Sequence, residues 1–102
     1  MKSITDESFQ EEIKLGLVLV DCFAVWCPPC KAMTPHLEAI ETYLAGVVTV
    51  LKMDVDACQA TTAALQIKAM PTFVLFKDGV EVDRKVGACS KAVMVEFIIK
   101  HQ

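Results

Sequence analysis

The sequence predicts an α/β fold, a mixed β-sheet with helices on both faces, and three observations carry that expectation. Leu17-Val18-Leu19-Val20-Asp21-Cys22-Phe23-Ala24 is apolar at successive rather than alternate positions, as a strand covered on both sides must be. Met33, Leu37, Ile40 and Leu44 then recur at spacings of three and four, the stripe of a helix packed on such a sheet. Asp78-Gly79 is a two-residue hairpin signal between two strand-like segments, so part of the sheet is antiparallel.

The elements follow in order. Thr5 or Asp6 caps a first helix with an acidic opening turn, its apolar stripe made by Phe9 and Ile13 and its end set by Gly16. The run from Leu17 to Ala24 is the central strand. A helix from Pro29 to about Leu44 follows, closed by Gly46; Pro35 inside it removes an amide donor and crowds the preceding turn, which predicts a kink near Thr34 and Pro35. Val47 to Met53 is a second buried strand, Asp56 caps a short alanine-rich helix over Ala57 to Leu65, and Thr72 to Phe76 is a third strand. Past the hairpin, Val80 to Val86 is more polar and reads as a sheet edge. Ser90 caps a last helix whose Val93, Met94 and Phe97 face inward.

Composition narrows the function classes. The 102 residues suit one domain, residues 1–102, and 54% hydrophobic content excludes disorder. With a net charge of −3, and Arg84 the only arginine among ten basic residues, the planar forks that grip phosphates are nearly absent, which argues against nucleic acid. The opening MKSITDESFQEE is polar and acidic, unlike a secretory leader. The longest apolar stretch, Leu15 to Cys27, is too short to span a bilayer and carries Asp21. Five cysteines form an odd set, too sparse for a disulfide-stapled secreted domain. The expectation is therefore a soluble, cytoplasmic chain in a reducing compartment, without a membrane partner and monomeric when reduced.

Chemistry concentrates at Trp26-Cys27-Pro28-Pro29-Cys30, just after the central strand and at the start of the long helix, where α/β proteins place their sites. Two cysteines three apart across a helix start can switch between dithiol and disulfide with little backbone movement. Cys27 meets the positive end of the helix dipole, which favours a thiolate, and is the expected nucleophile. Cys30 lies one turn deeper, is expected to be buried, and suits attack on a mixed disulfide. Neither Pro28 nor Pro29 has a backbone N–H, so the amide and thiol of Cys30 are the main local donors to Cys27. A CxxC pair can also be half of a zinc site, but no second CxxC or histidine pair completes four ligands; His36, His101, Cys58 and Cys89 are isolated, and no metal is expected. Asp21, six residues before Cys27, is a carboxylate in an apolar strand. It is a satisfied structural group, or lies at a solvated strand end, or is a proton acceptor for Cys30 with its pKa raised by burial. Lys52 interrupts the second buried strand in the same way, either snorkelling to the surface or pairing with Asp21. Trp26 is either a packing residue or, beside an exposed Cys27 thiol, a cover for the site that supplies apolar contact area. For Met70-Pro71, composition alone predicts a trans bond.

At WCPPC the chain resembles the thioredoxin family, whose usual motif is WCGPC followed by a lysine, here Lys31. VDCFAVWCPPCK with Asp21, the helix proline Pro35, Lys52 before Met53-Asp54-Val55-Asp56, MPTFVLFKDG and VGACS all stand in the family's order and spacing. The resemblance implies a thioredoxin fold, a central five-stranded mixed sheet flanked by four helices, with a first strand near Ser3 and Ile4. It further implies a cis bond at Met70-Pro71, a groove in which Met70 pairs with an extended substrate, and Gly87 and Ala88 on its opposite side. Trp26, Pro28, Pro29, Met70, Pro71, Gly87 and Ala88 are then substrate-binding, and Cys27, Cys30, Asp21 and Lys52 catalytic.

The implied activity is protein-disulfide reduction by reversible exchange at Cys27 and Cys30, with no cofactor beyond that disulfide. The implied partners are thioredoxin reductase and disulfide-containing targets such as peroxiredoxins. Pro28, where most of the family has glycine, is shared with tryparedoxins and nucleoredoxins. A tryparedoxin-like dedicated electron donor is therefore one alternative, and a non-catalytic binding module docking through Trp26, Met70 and Pro71 is another. Cys58 resembles an additional cysteine of animal-type members, whereas Cys22 and Cys89 read as small apolar side chains.

Overall fold

The structure, a computed structural model, describes residues Met1–Gln102. Its elements are β1 (Lys2–Ser3), α1 (Phe9–Ile13), β2 (Leu17–Phe23), α2 (Pro28–Tyr43), β3 (Thr49–Asp54), α3 (Gln59–Ala64), β4 (Thr72–Lys77), β5 (Val80–Val86) and α4 (Lys91–Ile99). The strands form one sheet in the order β1-β3-β2-β4-β5. β1 and β2 flank β3 in parallel, while β4 runs antiparallel to both β2 and β5. This is the thioredoxin fold the resemblance implied.

β2 is central, as its unbroken apolar run required. Val18, Val20, Cys22 and Ala24 enter one core with Phe9 and Ile13 of α1 and with Cys58. Leu17 and Leu19 enter the other with Met33, Leu37 and Ile40 of α2 and Met94, Phe97 and Ile98 of α4. Pro35 sits within α2 without ending it, and Asp78 and Gly79 form the expected turn, with φ of +50° and +85° between paired Lys77 and Val80.

Several expectations are corrected. β1, two exposed residues, has no periodicity to read; only the resemblance located it. Thr5 closes the turn before α1, its Oγ1 accepting from Ser8 N at 3.0 Å, but the helix itself starts later, at Phe9. Asp6 does not cap α1. It reaches α3, where Oδ1 accepts from the amide and hydroxyl of Thr61 at 2.9 and 2.7 Å. Asp56 therefore does not cap α3 either; Cys58 holds that position, with no bond from its own side chain, and the carboxylate that a helix start favours comes from 55 residues away. α2 begins at Pro28 and ends at Tyr43, with Gly46 in the turn beyond it at φ +85°. Val93 is 44% exposed, and Ile98 takes the inward place beside Met94 and Phe97. The buried stripe of α4 runs through 94, 97 and 98, and Val93 lies roughly 100° around the helix from Met94.

Candidate active site

The end of β2 delivers the chain into the site. Cys27 N donates to Ala24 O at 3.2 Å, and Cys27 then takes the N-cap of α2 with extended backbone, φ −99° and ψ 108°. Pro28 and Pro29 occupy the first two helical positions, where a missing N–H costs nothing. The amide of Cys30 is left to donate to Cys27 Sγ, and does so at 3.3 Å, as the two prolines required. All five cysteines are free thiols, so this geometry is that of the dithiol state.

Opposite the helix start stands the loop before β4. The Met70-Pro71 bond is cis, as the resemblance implied and composition alone did not. Met70 O lies 3.7 Å from Cys27 Sγ and accepts from its thiol. Pro71 is buried and its carbonyl accepts from Gly87 N at 2.8 Å, tying the segment after β5 to the same loop. Ala88 beyond it is exposed. The expectation of an exposed Cys27 thiol is corrected: the residue is only 4% exposed. A side chain that caps its own helix turns inward, and here it also meets Met70. Its flanking residues, Trp26, Pro28 and Pro29, are exposed.

Trp26 is 62% exposed, and its Nε1 donates to Asp56 Oδ2 at 3.0 Å, a bond that orients the ring. Asp56 was missed as a site residue because nothing local marks it: the partner lies 30 residues away.

Behind the dithiol, Asp21, Cys30, Lys31, Thr34, Lys52 and Met1 line a cavity of about 210 Å³. Asp21 is 3% exposed and its Oδ1 has no hydrogen-bond partner. Burial pushes its carboxyl from the ordinary 3.8 up to about 7, with the charge of Lys52 opposing the rise. Asp21 and Lys52 are register partners across the parallel β2–β3 pair, and Lys52 acts on Asp21 through its charge, with no direct hydrogen bond between them. Cys30 is 3% exposed, and burial, then the contact with Cys27, pushes its thiol up to about 11. Cys22, in the same core cluster as Cys27, Cys30 and Cys58, is pushed up to about 12 by burial, and Cys58 donates its thiol to Ile4 O at 3.4 Å. Cys89 is half-buried and packs against the core beneath α2 and α4, in keeping with the apolar reading, and its backbone amide donates to Met33 Sδ at 3.4 Å. No group of three or more His, Cys, Asp or Glu side chains is gathered where it could hold a metal ion.

The arrangement is a buried dithiol with the cis Met70-Pro71 loop in front and an ionisable carboxyl behind. Comparison with known proteins agrees. The family model Thioredoxin matches residues 1–100. A thioredoxin of Chlamydia muridarum is 46% identical over 99 residues, covering 97% of this chain and 96% of the relative. One from Chlamydia trachomatis serovar D is 44% identical over the same shares, and one from Staphylococcus haemolyticus is 41% identical over 96% of this chain and 94% of its own length. Full-length likeness to thioredoxins does not favour the tryparedoxin-like or binding-module readings. The chain belongs to the thioredoxin family, and it is an oxidoreductase that reduces protein disulfides by dithiol–disulfide exchange.

Proposed function

We propose that Cys27 is the attacking sulfur, Cys30 the resolving one, and Asp21 the group that takes the proton Cys30 must lose. In the first step the Cys27 thiolate attacks one sulfur of a target disulfide; a Cys27–target bond forms, the target S–S bond breaks, and the other target sulfur leaves as thiolate. In the second, Cys30 gives its proton to the Asp21 carboxylate, directly or through water in the cavity, and the Cys30 thiolate attacks Cys27 Sγ. The Cys27–Cys30 disulfide forms, the target leaves as its second thiolate, and the target is reduced by two electrons while this chain is oxidised by two. The observation that carries the assignment is the cavity shared by Cys30 and the unpartnered Asp21 carboxyl. A thiol held up at about 11 needs a base to ionise at neutral pH, and a carboxyl near 7 is matched to that work. Lys52, from the neighbouring strand, restrains the rise at Asp21.

The groove belongs to the same proposal. Met70 offers its backbone to an extended target segment, Trp26, Pro28 and Pro29 supply apolar contact on one side, and Pro71, Gly87 and Ala88 form the other. The chain works as one domain over residues 1–102, without a cofactor, as a cytoplasmic monomer; thioredoxin reductase recharges it, and peroxiredoxins are among its targets. No helix is long and apolar enough to cross a membrane. Rapid-mixing kinetics with a target disulfide tests the roles: Asp21→Asn slows resolution by roughly a hundredfold, the size of a lost proton-transfer group, and leaves the first attack far less changed. Equal slowing of both steps removes Asp21 from the role. An insulin-reduction assay coupled to NADPH and thioredoxin reductase tests the donor.

A further inference from the structure

The inner cavity has one wall that the mechanism above does not use. Met1 lines it together with Asp21, Cys30 and Lys52. Its side chain is only 4% exposed, and its ammonium sits 3.3 Å from Glu41 Oε1 on α2. The next residues are pinned to the sheet, Lys2 registering with Leu51 and Ser3 with Lys52 on β3. Met1 is thus held at both ends, by a strand pairing on one side and an ion pair to the helix on the other, with its apolar side chain packed against the core beneath α2 and α4.

We propose that the Met1 side chain is a positioning residue for resolution, walling the cavity on the β1 side and so limiting the hydration of the Asp21 carboxyl. The inference rests on the reading of Asp21 as proton acceptor. Removing the wall admits more water on that side, and added water relieves the desolvation that dominates the proton affinity of Asp21. The other groups facing the cavity stay in place: Lys52 from β3, and Cys30 and Lys31 from α2. On β4 the register partner of Asp21 is the apolar Phe73. Met1 therefore acts through Asp21 and touches neither sulfur of a target. A better-hydrated carboxylate is a weaker base, so resolution slows at high pH while its pH midpoint moves down.

The test uses chains released from a cleavable N-terminal fusion, so that residue 1 can be chosen: the parent, Met1→Leu and Met1→Gly. The carboxyl ¹³C shift of Asp21 is followed against pH in the reduced proteins, and the resolution step is timed across the same pH range. Met1→Gly is expected to lower the Asp21 midpoint by about one pH unit, a modest part of what full burial does to a carboxyl. Its resolution profile should move by the same amount, while Met1→Leu, apolar and of similar volume, titrates like the parent. A lowered melting temperature with an unmoved Asp21 midpoint shows Met1 to be merely structural and overturns the proposal, as does a Met1→Leu protein that shifts like Met1→Gly. If Asp21 fails to titrate near neutrality in the parent, or Asp21→Asn leaves resolution untouched, it is the reading of Asp21 that fails.

Discussion

Replacing Asp21 by asparagine gives a stability change that can be worked out from the structure. The carboxyl titrates near its ordinary 3.8 in the unfolded chain and at about 7 when folded. Between those values the folded protein binds more protons than the unfolded one, so stability falls as pH rises. The sign is opposite to that of a salt-bridged aspartate: the folded state is unpenalised below the unfolded value, loses ground through the window, and carries the whole cost above the folded value. A shift of about three units at 1.36 kcal/mol each amounts to about 4 kcal/mol. Asparagine keeps the shape and removes the charge, so the variant gains on the parent by up to about 4 kcal/mol between pH 4 and pH 8. The assay is urea unfolding of both reduced proteins across that range. The difference between them cancels every other titrating group and any fixed cost of the amide, leaving the slope as the readout. A gap that stays constant from pH 4 to pH 8 would show that no charge is being forced into the core, and the reasoning about Asp21 would fail with it.

Three further outcomes are expected. Cys30→Ser leaves the first attack intact and arrests the cycle as a Cys27–target disulfide, isolable by non-reducing electrophoresis; steady release of reduced target from that variant would contradict the assignment. Asp56→Ala frees the indole of Trp26, the single tryptophan. Its fluorescence anisotropy should fall, and kcat/KM should drop several-fold for a protein disulfide but hardly at all for a small-molecule one. Gly79→Ala costs about 1–2 kcal/mol in urea unfolding, because φ is +85° and the added Cβ meets only an ordinary 3.7 Å contact with Lys14 Cα; no loss would mean the turn readily adopts another form.

Much of the site was readable before any coordinates. Cys27 and Cys30 announce themselves by spacing and by their place after an apolar strand, and Asp21 by being a carboxylate where only apolar residues belong. Burial of Asp21 and Cys30 and the single amide donated by Cys30 follow from rules that act within a few residues. Met70, Pro71, Gly87 and Ala88 were located through the family pattern alone, since no local rule brings a loop 43 residues along the chain to a given sulfur.

The sequence by itself determined what depends on neighbours along the chain: the strand covered on both faces, the helix opened by two prolines, the Asp-Gly hairpin and the identity of the reactive pair. Tertiary structure decided what depends on chance meetings of distant segments. Asp6 rather than Asp56 caps α3, Asp56 instead holds Trp26, and Met1 lines the space behind Cys30. The physical reason is common to all three. A hydrogen-bond acceptor or an apolar wall is chosen by position in space, and side chains brought together by sheet pairing and core packing leave no periodicity or spacing behind them in the order of residues.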